Sequence, residues 1–243
     1  MRRAPEGCEP WGGEHQMQRD LLQIKLRDNL VRQRVDIISS VRFTLKSLGI
    51  TLPSPNSEVF ANKARATLRK EHSDMLALIE PSLRVLDGMT EQIRTLEKSI
   101  AAMAAEKYPE SEFLSQVGGV GLLTSLTFIL TIGDPTRFRR KRDVAAFLGL
   151  VPRRDQSGET DKQLRISKAG NTYLRRLLVG CAQYILGPFG PDTALKRKGL
   201  KLTEKGGPRA KRKAVVAVAR NLAVLLLTLW HDEAFYEPDH RAA

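Results

Sequence analysis

Residues 114–128 read LSQVGGVGLLTSLTF. Leu114 and Val117 precede Gly119-Val120-Gly121, and Leu122, Ser125 and Phe128 follow at helical spacing. The pattern predicts a short helix, a tight Gly-Val-Gly turn and a second helix, a helix-hairpin-helix-like motif. Glycines at 119 and 121 permit a backbone that a Cβ would crowd. The amides at the start of the second helix can hold a phosphate without reading base sequence. A compact turn that only lets two helices approach closely is the plainer alternative.

Downstream the chain turns basic. Gly133-Asp134-Pro135 predicts a turn with Asp134 as N-cap, and Arg137, Arg139, Arg140, Lys141 and Arg142 follow within six residues. A short helix is expected over Asp143–Phe147, closed by Gly149. Arg153-Arg154-Asp155-Gln156-Ser157-Gly158 is small and polar, which predicts a loop or a short two-stranded turn. Arg165 to Asn171 forms a second such element, and Tyr173–Leu186 reads as a helix with Arg175 and Arg176 near its start. A serine in a glycine-flanked loop is sterically open, and arginines beside it could hold phosphodiester oxygens. No histidine lies near Ser157 to act as base, so from the residues alone a hydrogen-bonding or turn role stands beside the nucleophilic one. From Lys196 to Lys213, nine cations with Glu204 as the lone acid crowd what reads as a Gly/Pro-broken connection. Lys211 and Arg212 stand near the end of that run, and an apolar helix is expected over Ala214–Leu229.

Upstream, Leu22, Leu26, Leu30, Ile37, Val41, Leu45 and Leu48 return every three, four or seven residues, which predicts a long amphipathic helix from Asp20 to Leu48. A short helix over 57–68 and a second long one over 73–105 follow, with Pro81 either starting or kinking the latter. Leu76, Ile79, Leu83, Leu86, Met89 or Thr90, Ile93, Leu96, Ile100 and Met103 keep heptad-like spacing. These elements predict a coiled-coil hairpin or a dimer arm, within one chain or between chains. The expected fold is mainly α-helical: a poorly ordered segment 1–19, linking helices 20–107, and a compact helical domain 108–238.

The chain has 243 residues and a formal net charge of +13, from 40 Lys+Arg against 27 Asp+Glu. That balance favours polyanionic partners. Aromatics at 6% argue against a binder that works mainly by base stacking. Two cysteines and four scattered histidines offer neither a disulfide framework nor metal-ligand spacing. The N-terminus lacks a signal-peptide pattern, and the run Val215–Leu229, broken by Arg220 and Asn221, reads as too short and too polar to span a bilayer. A cytoplasmic location with no membrane partner is the expectation.

The run LSQVGGVGLLTSLTFILTIGDPTRFRRKRDVAAFLGLVPRRDQSGETDKQLRISKAGNTYLRRLLVGCAQ closely resembles the C-terminal domain of the bacterial insertion-sequence-110 family of transposases. The likeness extends to YILGPFGPD and KRKAVVAVARNLAVLL, and upstream to RDNLVRQRVDIISSVRFTLKSLG, covering residues 20–238. The resemblance implies DNA as substrate, guidance by a structured bridge RNA, and dimers or tetramers on DNA. It implies that Ser157, in the QSG element, attacks a DNA phosphodiester and forms a covalent phosphoserine, with Gln156 and Gly158 shaping its loop. Arg153, Arg154, Arg165, Lys168 and Arg175 become candidates for phosphate contact by charge and proximity in sequence. Gly119, Gly121, Arg139, Arg140, Arg176, Lys211 and Arg212 complete the expected nucleic-acid-binding set.

The family also begins with a RuvC-like domain whose four acidic residues hold a divalent metal, usually magnesium. About twenty residues stand in that place here, and Glu6, Glu9, Glu14 and Asp20 are not spaced like the tetrad. No metal ligand is expected in this chain, which reads as a truncated or decayed transposase, or as a reading frame started downstream. A non-catalytic nucleic-acid-binding remnant using the hairpin and basic face is the second reading, and a basic coiled-coil interaction protein the third.

Overall fold

The computed structural model describes residues 12–53, 56–157, 160–204 and 206–238. Among them the chain forms nine α-helices, one 3-10 turn and one two-stranded hairpin, the mainly α-helical fold expected. It divides into two compact units, Gln18–Met103 and a second one holding Ala104 onward.

The first unit is built from α1 (Gly12–Ser47), α2 (Phe60–Glu71) and α3 (Ser73–Lys107). Helix α1 starts at Gly12 rather than Asp20, because residues 14–19 are mostly good helix formers. The expected disorder of 1–19 therefore does not hold for 12–19, and residues 1–11 lie outside the described residues. Helix α3 runs through Pro81, which sits on an exposed face.

Partner numbers fall on α3 as they rise on α1: Gln23 meets Ser99, Arg27 meets Glu97 and Arg34 meets Thr90. The two helices thus pair antiparallel within one chain. The seam on α1 is Ile24, Arg27, Val31, Arg34, Ile38, Val41 and Leu45, an alternation of three and four residues. Leu22, Leu26 and Leu48, expected on the buried face, are exposed. Two arginines occupy seam positions, so counting apolar residues alone selects the wrong stripe in the first half of the helix. On α3 the buried position is Thr90 rather than Met89. At one end Ile38, Val41 and Leu45 form a core with Phe60, Ala64 and Leu68 of α2 and Leu83 and Leu86 of α3.

Arg34 is 6% exposed, its Nη1 lies 3.3 Å from the Thr90 hydroxyl, and its Nε has no partner. A buried charge with an unmet donor weakens a fold. Replacing it by an apolar side chain of similar length, Arg34→Met, is expected to stabilise the chain by about 1–3 kcal/mol in chemical denaturation. A second effect concerns acid. Arg65 bridges Glu80 and Asp87, and the Arg65 guanidinium holds the Glu80 carboxyl below its ordinary 4.5. A depressed folded value means that the contribution is intact above pH 4.5 and is lost as pH falls through the lower, folded value. Melting temperature is expected to drop with acidification over that range, and less steeply in Glu80→Gln.

The second unit contains α4 (Ser111–Ser115), α5 (Leu122–Ile132), a 3-10 turn (Pro135–Arg137), α6 (Asp143–Phe147), β1 (Pro152–Ser157), β2 (Thr160–Ile166), α7 (Thr172–Leu186), α8 (Ala194–Thr203) and α9 (Gly207–Asp232). Helix α9 is its axis and packs against α4, α6, α7, α8 and the 3-10 turn. Ala214, Val218, Ala219, Leu222, Ala223, Leu226, Leu227 and Leu229 form its buried stripe. With 26 residues, α9 is long and apolar enough to cross a membrane by length and composition, contrary to the expectation from Val215–Leu229. Its packing within the unit makes it the core helix. The cations from 196 to 213 do not lie on a broken connection either. Apart from Lys205, which lies outside the described residues, they ride on α8 and the first turns of α9, which Pro208 opens near its N-terminus. Gly199 is tolerated inside α8 because a Cβ there would meet Val218 and Leu186 at 2.5 and 2.6 Å.

Candidate nucleic-acid interface

The hairpin β1–β2 pairs antiparallel, with Ser157 opposite Thr160 at its tip and Pro152 opposite Ile166 at its base. Ser157 therefore sits at a strand end, the two-stranded form of the expected loop. The side chains of residues 154–163, Arg154 and Ser157 included, and Gly158 as a whole lie outside the described residues. The register shifts between Pro152 and Arg154, which leaves Arg153 facing an extra residue on β2.

The hairpin base is locked by backbone packing. Gly149 (φ +67°) and Gly170 (φ +72°) lie in the left-handed region, and the chain segments leading into β1 and out of β2 cross there. A Cβ on Gly170 would sit 2.1 Å from the Phe147 carbonyl oxygen, and one on Gly149 2.4 Å from the Ala169 backbone. The Lys168 amide donates to the Gly149 carbonyl and the Ser167 amide to that of Val151. Arg175, expected to contact phosphate, is instead 8% exposed. Its Nη1 donates to the carbonyls of Ala169 (2.8 Å) and Leu148 (3.1 Å), and its Nη2 to the Thr172 hydroxyl. It clasps both ends of the hairpin base, and both of its terminal nitrogens donate inside the fold.

Beside that base opens a cleft of about 1740 Å3. The hairpin contributes Pro152, Leu164, Arg165 and Ile166, and Lys168 reaches it from a left-handed backbone (φ 57°). Helix α8 supplies Arg197, Lys198 and Lys201; α9 supplies Arg209, Arg212, Lys213 and Arg220; Arg142 completes the cations. Among the described residues ten Lys and Arg line the cleft and no Asp or Glu does, a charge that suits an anion. Of the expected binding residues, Arg165, Lys168 and Arg212 meet here. Of the others in the cleft, Arg197, Lys198, Lys201, Arg209 and Lys213 fall in the 196–213 run read as a connection, and Arg142 and Arg220 lie outside it. Taken as one helix from Pro208, the spacing of Arg209, Arg212, Lys213 and Arg220 puts them on a single face.

The glycine turn joins α4 to α5 as expected. Gly119 (φ +90°) requires glycine, since a Cβ there would meet the Tyr184 ring at 2.7 Å. Gly121 does not: it is extended and a Cβ would meet nothing. Gly119, Gly121 and Arg176 line a smaller hollow of about 600 Å3 with Cys181 and Tyr184, apart from the cationic cleft. Arg176 lies over the Tyr173 ring. Burial pushes the Cys181 thiol up, which leaves it a core residue with little thiolate character.

Other cations have local tasks. Arg137 donates to the Ile132 carbonyl and stacks on Phe147, Lys196 donates to the carbonyls of Gly187 and Gly190, and Lys141 pairs with Asp232 at 2.5 Å. Arg139, Arg140, Arg153 and Lys211 are exposed and line neither hollow. Among the described residues no group of three or more His, Cys, Asp or Glu could hold a metal ion.

Among the described residues, the second unit thus sets a cationic cleft beside a hairpin locked at its base. Residues 111–196 match the model of the Transposase IS116/IS110/IS902 family, a span that includes the hairpin, Ser157 and Arg175. They are a transposase domain of that family. The chain is 30% identical to the transposase for insertion sequence element IS1111A of Coxiella burnetii, over 88% of this chain and 58% of that protein. It is 27% identical to a probable family 20 transposase of Pseudomonas aeruginosa, over 88% of this chain and 64% of the relative. A pilin gene-inverting protein of Moraxella lacunata is 28% identical over 47% of this chain and 35% of its own length. The chain thus spans about half to two thirds of the first two relatives.

The division of labour among the arginines predicts opposite outcomes. Arg175→Leu orphans two carbonyls and is expected to cost about 2–4 kcal/mol in urea denaturation. Arg212→Ala, on the open cleft wall, is expected to stay within about 0.5 kcal/mol of the parent protein.

Proposed function

We propose that this chain acts on DNA in insertion-sequence transposition, with Ser157 as the attacking group. The observation that carries the reading is the cleft, lined among the described residues by ten cations and no acid, at the base of the hairpin whose tip bears Ser157. In this reading the Ser157 Oγ bonds to phosphorus while one ester P–O bond breaks. The serine proton passes to a base and the departing oxygen takes one up, leaving a phosphoserine and a free DNA end. Exposed Arg153 and the cleft cations, at the hairpin base, hold backbone phosphates of the DNA away from the attacked one. The names of the relatives, two transposases and a gene-inverting protein, support DNA rearrangement as the outcome.

A structured guide RNA and assembly into dimers or tetramers on DNA belong to the same reading and rest on the family resemblance. Phosphates of RNA and DNA suit the cleft alike. Magnesium, which the resemblance implies, finds no ligand set among the described residues, and no step here passes through it.

A nicked suicide DNA substrate tests the reading. A covalent protein–DNA adduct is expected with the parent sequence and is expected to vanish in Ser157→Ala, while salt-sensitive DNA binding persists. Tight binding without any adduct would favour the second reading, a non-catalytic nucleic-acid-binding protein.

A further inference from the structure

The cleft has two chemistries, and their arrangement points to one form of nucleic acid. Helix α9 presents Arg212 and Lys213, then Val216 and Ala217, then Arg220 and Asn221, then Val224 and Leu225. Cationic and apolar turns alternate along one face, and at 1.5 Å per residue the two cationic turns lie about 11–12 Å apart. Leu195 of α8 and Ile166 of β2 extend the apolar floor. The apolar residues of α9 in this stripe are half-buried, so the floor is open to a ligand.

A duplex presents phosphates and polar groove edges to a protein, and pressing these onto an aliphatic floor desolvates them without a partner. An unpaired strand meets this constraint. Its bases can turn to the floor and its phosphates to the rim. The floor is aliphatic, with Tyr236 the aromatic among the lining residues, so apolar contact rather than a row of stacked rings holds the bases.

We infer that this cleft takes an unpaired strand of nucleic acid, bases against Val216, Val224 and Leu225 and phosphates on Arg212, Lys213 and Arg220. The inference rests on the reading of the unit as one that acts on nucleic acid. The strand leaves the cleft along the hairpin. From Pro152 in the cleft to Ser157 at the tip the strand β1 advances about 17 Å at 3.4 Å per residue, a gap that a few nucleotides span. The cleft is thereby a holding site for unpaired residues adjoining the phosphodiester that Ser157 would attack.

Fluorescence anisotropy on the full chain tests this, with oligo(dT) of about twelve nucleotides against a duplex of equal length at one salt concentration. The single strand is expected to bind about tenfold tighter. The double variant V216T/V224T keeps the shape of the floor and adds two hydroxyls. It is expected to weaken oligo(dT) about fivefold and to leave the duplex unchanged, while Arg212→Ala weakens both. Duplex binding as tight as oligo(dT), or floor changes that weaken both probes equally, would overturn the inference. The wild-type comparison decides even if the double variant melts. A Ser157-dependent adduct together with equal affinity for the two probes overturns this inference alone. Failure of either oligonucleotide to bind, with binding of an acidic amphipathic peptide instead, overturns it together with the reading of the unit.

Discussion

The guanidinium of Arg175 joins two backbone carbonyls that belong to opposite ends of one hairpin. Leu148 lies just before β1 and Ala169 just after β2, so a single side chain on α7 fixes where both strands begin and end. Gly149 and Gly170 make the clasp possible, because a Cβ at either would collide with backbone that cannot yield. The direction of the hairpin, the place of Ser157 at its tip and the position of Arg165 and Lys168 in the cleft all follow from this crossing. A two-stranded ribbon alone is marginal in water. Here its base is held by α7, and the tip inherits its position from there.

Helix α9 solves a related problem with two faces. One face is closed against five neighbouring elements, which explains why a helix apolar enough to cross a membrane is instead the axis of a helical unit. The other face alternates cations with aliphatic residues. Among the described residues no acid lines the cleft, although Arg197 on its α8 wall pairs with Asp192 at 2.9 Å, and the remaining cations there repel one another. That arrangement costs stability in the free protein and is offset when a polyanion enters. Arg142, Arg165 and Lys168 arrive from other elements at the same cleft, so its charge is assembled by tertiary structure and not by one run of sequence.

Much of this was legible from residue spacing. The two long helices, α6, α7 and the turn between α4 and α5 follow from periodicity and from Gly, Pro and Asp at their ends. What escaped has specific causes. Arg175 is indistinguishable in sequence from its neighbour Arg176, yet one helical step turns the first to the core and the second to solvent. The cations between 196 and 213 look like a linker because glycine and proline interrupt them. Pro208 in fact opens a helix, and Gly199 fits because Leu186 and Val218 crowd its missing Cβ. Gly121 carries a glycine that its geometry does not demand, so the Gly-Val-Gly pattern overstated one of its two glycines.

The antiparallel pair of α1 and α3 shows the same limit in another form. An uninterrupted apolar seam can slide by a heptad at little cost, because each apolar layer resembles the next. Arg27 against Glu97 and Arg34 against Thr90 break that equivalence. Sliding either helix by a turn would bury both guanidiniums against aliphatic side chains, which is far worse than the single unmet Nε of Arg34. The polar seam positions therefore destabilise the observed alignment a little and its neighbours much more. The same substitution of arginine for an apolar residue that obscures the seam in the sequence makes its register unique in the fold.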